Sequence, residues 1–88
     1  MNAIEKLVCS AVRTPKKIFT GKRHADCYEK IHDAGIYLPD LDFAIEGFVT
    51  THNRFVDRFE AAKIAKASKQ IPSDSSIVIL YSEDVWPE

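Results

Sequence analysis

The segment Gly47-Phe48-Val49-Thr50-Thr51-His52-Asn53-Arg54-Phe55-Val56-Asp57-Arg58-Phe59-Glu60-Ala61-Ala62 constrains the fold more than any other stretch of this chain. Phe48, Val49 and Thr50 favour a strand, and Gly47 weakens it. His52-Asn53 predicts a two-residue turn into a short return strand, Arg54-Phe55-Val56. Asp57, followed three residues later by Glu60, has the form of a capping box with Asp in the role of Ser or Thr. A hairpin running straight into a capped helix is therefore expected. Arg54 and Arg58 flank that corner. The free N–H groups and dipole of a helix N-terminus favour negative charge, so the corner suits a phosphate or another small anion. The ordinary alternative is that both arginines are solvated.

The rest of the chain extends this pattern. Ile4 to Val12 is apolar and β-branched and predicts a strand, paired through Thr14-Pro15-Lys16-Lys17 with a second strand at 17–20. Arg23 to Ala34 predicts a helix with Cys27, Ile31 and Ala34 on one apolar stripe. Gly35 then stands where a left-handed C-cap is common, and Ile36 supplies its hydrophobic contact. Tyr37 to Asp42, with Pro39, predicts a loop, and Phe43 to Thr50 the third strand. The second helix is expected to run to about Ser68. Its inward set is either Phe59, Ala62 and Ala65 or Ala61, Ile64 and Ala65, and Lys63, Lys66 and Lys69 face water. After a loop at 71–75, the apolar run Ser76 to Tyr81 predicts a strand buried on both faces. The order β-β-α-β-β-α-β gives an α+β two-layer sandwich: a mostly antiparallel sheet with both helices on one face.

Length and charge narrow the function classes. Eighty-eight residues make one small domain, 1–88, with a modest core, and self-association is expected to support it. A formal net charge of -1 gives no bulk electrostatic support for binding DNA or RNA. The charge is uneven: Arg13, Lys16, Lys17, Lys22 and Arg23 cluster early, and Glu83, Asp84 and Glu88 end the chain. Cys9 and Cys27 sit in apolar patterns and are expected to be small buried hydrophobes rather than a disulfide or metal motif. No secretory h-region and no membrane-length apolar run is present in the sequence, so the expectation is a reducing cytosol and no membrane partner.

Three constellations are candidates for chemistry. Thr20-Gly21-Lys22-Arg23-His24-Ala25-Asp26 closes a strand and opens a helix, placing Lys22, Arg23 and His24 at a positive helix end. It lacks the spacing of a Walker motif, and solvated basic residues with Asp26 on the helix dipole are an equal reading. The corner with Arg54 and Arg58 is the second, with Phe48 and Phe55 as core residues or stacking platforms. The third is the tail Tyr81-Ser82-Glu83-Asp84-Val85-Trp86-Pro87-Glu88. There Trp86 must dock on the core, a ligand or another subunit, and Glu83 and Asp84 accept hydrogen bonds or pair with the basic corners. His24, His32 and His52 lack metal-ligand spacing, and no nucleophile elbow is present, so no catalytic residue, metal or cofactor is expected.

Thr20-Gly21-Lys22-Arg23-His24-Ala25-Asp26, Gly47-Phe48-Val49-Thr50, Asn53-Arg54-Phe55-Val56-Asp57-Arg58 with Glu60-Ala61-Ala62, Ile64-Ala65, Gln70-Ile71 and Leu80-Tyr81-Ser82-Glu83-Asp84-Val85-Trp86 together resemble a family of short tailed-phage accessory proteins. The resemblance covers most of the chain from Lys17 onward. It implies an anti-defence factor in the cytoplasm of the infected bacterium. Such a factor would be an oligomeric sponge that sequesters the cyclic nucleotide or cyclic ADP-ribose messengers of CBASS and Thoeris immunity without cleaving them. On that reading Lys22, Arg23, His24, Arg54 and Arg58 hold phosphates, Phe48 or Trp86 stacks on a base, and Glu83 takes a base edge. Phe59 departs from the charged residue the resemblance implies at that place. The alternatives are a phosphodiesterase with His24 as acid-base group, and a module that inhibits a host enzyme through Trp86 and the acidic tail.

Overall fold

A computed structural model describes residues 4–36 and 43–87. Four strands form one antiparallel sheet: β1 (Leu7–Arg13), β2 (Ile18–Gly21), β3 (Ile45–Thr50) and β4 (Phe55–Asp57), in the order β2-β1-β3-β4. Helix α1 (His24–Asp33) joins β2 to β3, helix α2 (Arg58–Ala67) follows β4, and a short helix α3 (Ser82–Val85) lies near the end of the chain. The fold is α+β, as the pattern predicts, with one difference in the last element described below.

The register explains why both helices lie on one side. Directly opposed residues of an antiparallel pair point to the same face, and the pairs Val12↔Phe19, Ser10↔Phe48 and Phe48↔Val56 link all four strands. Their side chains are buried. Helix α1 covers Val12 and Phe19 with Cys27 and Ile31, and α2 covers Leu7, Phe48 and Val56 with Ala61, Ala62 and Ala65. Fully burying a side chain of this size contributes roughly 1.5–3 kcal/mol. The small alanines let α2 approach the sheet closely. Ala61 and Ala65 belong to the second of the two inward sets, and Phe59 instead faces outward, 55% exposed.

Local signals set the element ends. The Arg23 N–H donates to Asp26 Oδ2 (3.0 Å) at the start of α1, and the Glu60 N–H donates to Asp57 Oδ1 (2.8 Å) at the start of α2. Gly35 takes the left-handed conformation expected after α1, with φ +71°, and Ile36 packs against the core beside it. The β3–β4 turn is one residue longer than predicted. Thr50 N–H bonds to the Arg54 carbonyl, Asn53 N–H to the Thr50 carbonyl, and Asn53 alone has positive φ, +56°. This is a three-residue loop with a left-handed last position. The predicted loop Tyr37 to Asp42 lies outside the described residues.

The run Ser76 to Tyr81 is not the doubly buried strand its composition predicts. It runs beside the start of α2, where Leu80 N–H donates to the Arg58 carbonyl (3.2 Å), bends at Val78 and Ile79, and among the described residues joins no sheet edge. Leu80 is fully buried, but Val78 and Ile79 are 62% and 43% exposed. An unbroken apolar run reads the same in both settings, because composition carries no information on which backbone lies next to it.

Gln70 makes a further tie that no motif announces. Its side-chain amide accepts from Leu7 N–H (2.8 Å) and donates to the Leu7 carbonyl (2.9 Å), so it completes the ladder as a strand would. Gly47 is equally specific. A Cβ placed there would lie 2.1 Å from the Val56 carbonyl oxygen and 2.6 Å from Phe55 Cζ. The glycine therefore lets β4 and the Phe55 ring close over β3. Gly47→Ala is expected to cost about 3 kcal/mol or more, since overpacking is met here by backbone that cannot give way. Urea unfolding at neutral pH measures this loss.

Candidate functional site

The two helices leave a gap over the start of β3. It is a depression of about 490 Å³, lined by Tyr28 of α1, Ala44 to Glu46, Asp57 to Phe59, and Ile79. Glu46 enters it because of strand alternation. It shares the inward face with Phe48 and Thr50, where a charge needs partners. Two reach it. Arg58 Nη2 donates to Glu46 Oε1 (2.6 Å), and the Tyr28 hydroxyl donates to Glu46 Oε2 (2.7 Å). Arg58 also donates through Nη1 to the Leu80 carbonyl, and its Cζ lies 4.5 Å from the centroid of the Tyr81 ring. Tyr28, Phe59 and Tyr81 all remain substantially exposed around this ion pair.

The electrostatics follow from this wiring. Burial pushes the Glu46 carboxyl up, but the bonds from Arg58 and Tyr28 outweigh it and hold the group below its ordinary value. Burial and the bond to Glu46 push the Tyr28 phenol up to about 12, so it remains a donor at any physiological pH. Arg58 spends two of its five N–H groups on Glu46 and Leu80, which leaves donors for a further acceptor.

The other residues singled out from sequence are placed differently. Arg54 does not converge with Arg58 on one anion site: it is held by Glu5, with Nε to Oε2 at 2.7 Å and Nη2 to Oε1 at 2.8 Å, and by Glu60 at 2.8 Å. The bonds from Arg54, with one from the Thr50 hydroxyl, bring the Glu5 carboxyl down to about 2. Arg23 lies beside Glu83, Nη1 to Oε1 3.7 Å. Lys22 is exposed, and its carbonyl accepts from the Ser10 hydroxyl. Phe48 is fully buried, which corrects its assignment as a stacking platform: it is core, in edge-to-face contact with His24 (centroids 5.2 Å) and 6.1 Å from the ring of Trp86. Trp86 docks on the protein's own core. His24 is buried and hydrogen-bonds through Nε2 to the Gly47 carbonyl (2.8 Å), so that nitrogen is occupied. Among the described residues no group of His, Cys, Asp and Glu is arranged to hold a metal, and no helix is long and apolar enough to cross a membrane.

The family model of the phage T4 y16D protein matches residues 6–86. The chain belongs to that family. No curated protein and no solved structure gives a significant match. The phage accessory character implied by the resemblance thus stands for this chain.

The site differs from the sequence-derived set in its centre of gravity. Arg58 lines the depression; Tyr28, Glu46 and Phe59, which also line it, were not foreseen. Glu46 had a usable signal, a carboxylate at an inward strand position two residues before Phe48. Tyr28 had none, since it lies next to the apolar stripe of its helix. Beside this site His24 gives the protein a pH dependence. Burial holds its imidazole below the ordinary 6.5, opposed by the bond to Gly47. The unfolded chain then binds a proton that the folded chain resists. The stability due to His24 is complete above pH 6.5 and is lost as the pH falls through that value toward the folded one. His24→Gln, which keeps a donor for Gly47, is expected to flatten the stability profile between pH 7 and 5, as read by urea unfolding at stepped pH.

Proposed function

We propose that this phage protein is an anti-defence factor that binds and sequesters a nucleotide immune messenger, a cyclic nucleotide or cyclic ADP-ribose species, without cleaving it, and that the depression between α1 and α2 is where it does so. The observation that carries the reading is the combination of a 490 Å³ hollow with exposed Tyr28 and Phe59 and with Arg58 in its lining. That volume falls within the usual range of small-molecule sites, which are mostly apolar with a few placed polar groups. Rings offer stacking surfaces for a base. The remaining N–H groups of Arg58 offer charge-assisted bonds to a phosphate. Glu46 keeps the guanidinium fixed in orientation, so little freedom is lost on binding. The same carboxylate opposes an incoming anion, and affinity rests on stacking as much as on charge.

Titration calorimetry with a panel of cyclic dinucleotides and cyclic ADP-ribose isomers tests this. Binding to at least one member is expected, with the ligand recovered intact by chromatography after the complex is heated. Tyr28→Ala is expected to weaken it about tenfold to a hundredfold, the worth of one stacked base. Tyr28→Phe, which keeps the ring and loses only the bond to Glu46, is expected to retain most of the affinity. No heat with any member of the panel would overturn the reading, and cleaved ligand would replace sequestration with turnover.

A further inference from the structure

Phe59, Ala62, Lys63 and Lys66 stand at i, i+3, i+4 and i+7 on α2, the four-residue frame that receives one side chain from a facing helix in knobs-into-holes packing. These four, with Ile77 and Val78, line a second depression of about 330 Å³. Ala62 is buried at its floor, and Phe59 and Val78 stand exposed at its rim. The helix thus carries both a hole and, in Phe59, a knob of the size to fill one.

Charge selects the occupant. The N-terminal end of α2 presents two exposed carboxylates, the capping Asp57 and Glu60, which also bonds to Arg54, and the outward face toward its C-terminal end is basic, with Lys63 and Lys66. Neither lysine pairs with a carboxylate among the described residues. Two such helices crossing antiparallel about a two-fold axis set the lysines of each against the acidic end of the other. The same crossing seats each Phe59 in the opposite frame. A surface that is complementary to itself under a two-fold operation is what an isologous dimer needs.

We infer that this face of α2 binds a second copy of the chain, with Phe59 as the central anchor. Phe59 also lines the larger depression, so the second copy stands at the rim of that hollow and walls it on one side. The inference goes beyond the ligand reading and does not depend on it; it takes Phe59 for the interface and leaves Tyr28 as the ring open to a base.

Sedimentation equilibrium without any nucleotide tests it. The wild-type chain is expected to reach twice its 10.0 kDa mass within the micromolar to millimolar range, and Phe59→Asp to stay at 10.0 kDa. Lys63→Glu with Lys66→Glu in one variant, and Glu60→Lys in another, are each expected to weaken self-association by about tenfold or more. An equimolar mixture of the two charge variants is expected to restore it, because opposite charges then face each other at both halves of the interface. Restoration also shows that both variants are folded. A wild-type chain that stays monomeric through the millimolar range would overturn the inference. So would an oligomer indifferent to Phe59→Asp, or charge variants that fail to rescue each other.

Discussion

The Arg58 guanidinium ties together three parts of the chain that share one core: α2, β3 and the C-terminal segment. It grips Glu46 of β3, the Leu80 carbonyl of the C-terminal segment, and the face of Tyr81, all from the first residue of α2. Its position is fixed by the Asp57 cap immediately before it. Leu80 is seated in the core at the same place, and Trp86 follows onto the helix layer. The arrangement replaces the ladder that the C-terminal segment would have had in a sheet. An apolar segment running beside a helix needs something to satisfy its carbonyls, and a partly buried arginine with several donors serves that need better than any aliphatic residue.

The carboxylates matter as much as the arginines. Arg54 carries Glu5 and Glu60, Arg58 carries Glu46, and Arg23 lies near Glu83. The basic corner that the sequence presents is thus neutralised in the folded chain, largely by residues distant in sequence. Any anion that binds must compete with, or share, an existing partner. On the proposed reading, recognition rests on a fixed ion pair framed by aromatic rings instead of a cluster of free cations.

Much of the fold was legible because it rests on short-range signals. The Asp57 cap, Gly35 with Ile36, and the alternation through Phe48 act within a few residues and form as their spacing predicts, although the Glu60 carboxylate turns to Arg54 instead of closing a reciprocal capping box. The failures share one cause. Ser76 to Tyr81, Phe48 as a stacking ring, and the convergence of Arg54 with Arg58 all depended on which distant residue stands alongside. A run of Ile and Val does not reveal whether a strand or a helix will flank it. Nor do Arg54 and Arg58 reveal that Glu5 and Glu46 have prior claim on them. At the site, Arg58 was readable from its place beside a helix start, whereas Tyr28 and Phe59 emerge only once α1 and α2 are laid side by side.

The amide of Gln70 has a consequence for the order in which the chain organises itself. It clamps Leu7 across a sequence separation of 63 residues, so one edge of the start of β1 is closed only once Gln70 is in place, while the other pairs with β3 at Thr50. Closing so long a loop carries an entropic cost that local turns do not. During synthesis the N-terminal hairpin therefore emerges with an open end, and the residue that shuts it stands just past the end of the second helix.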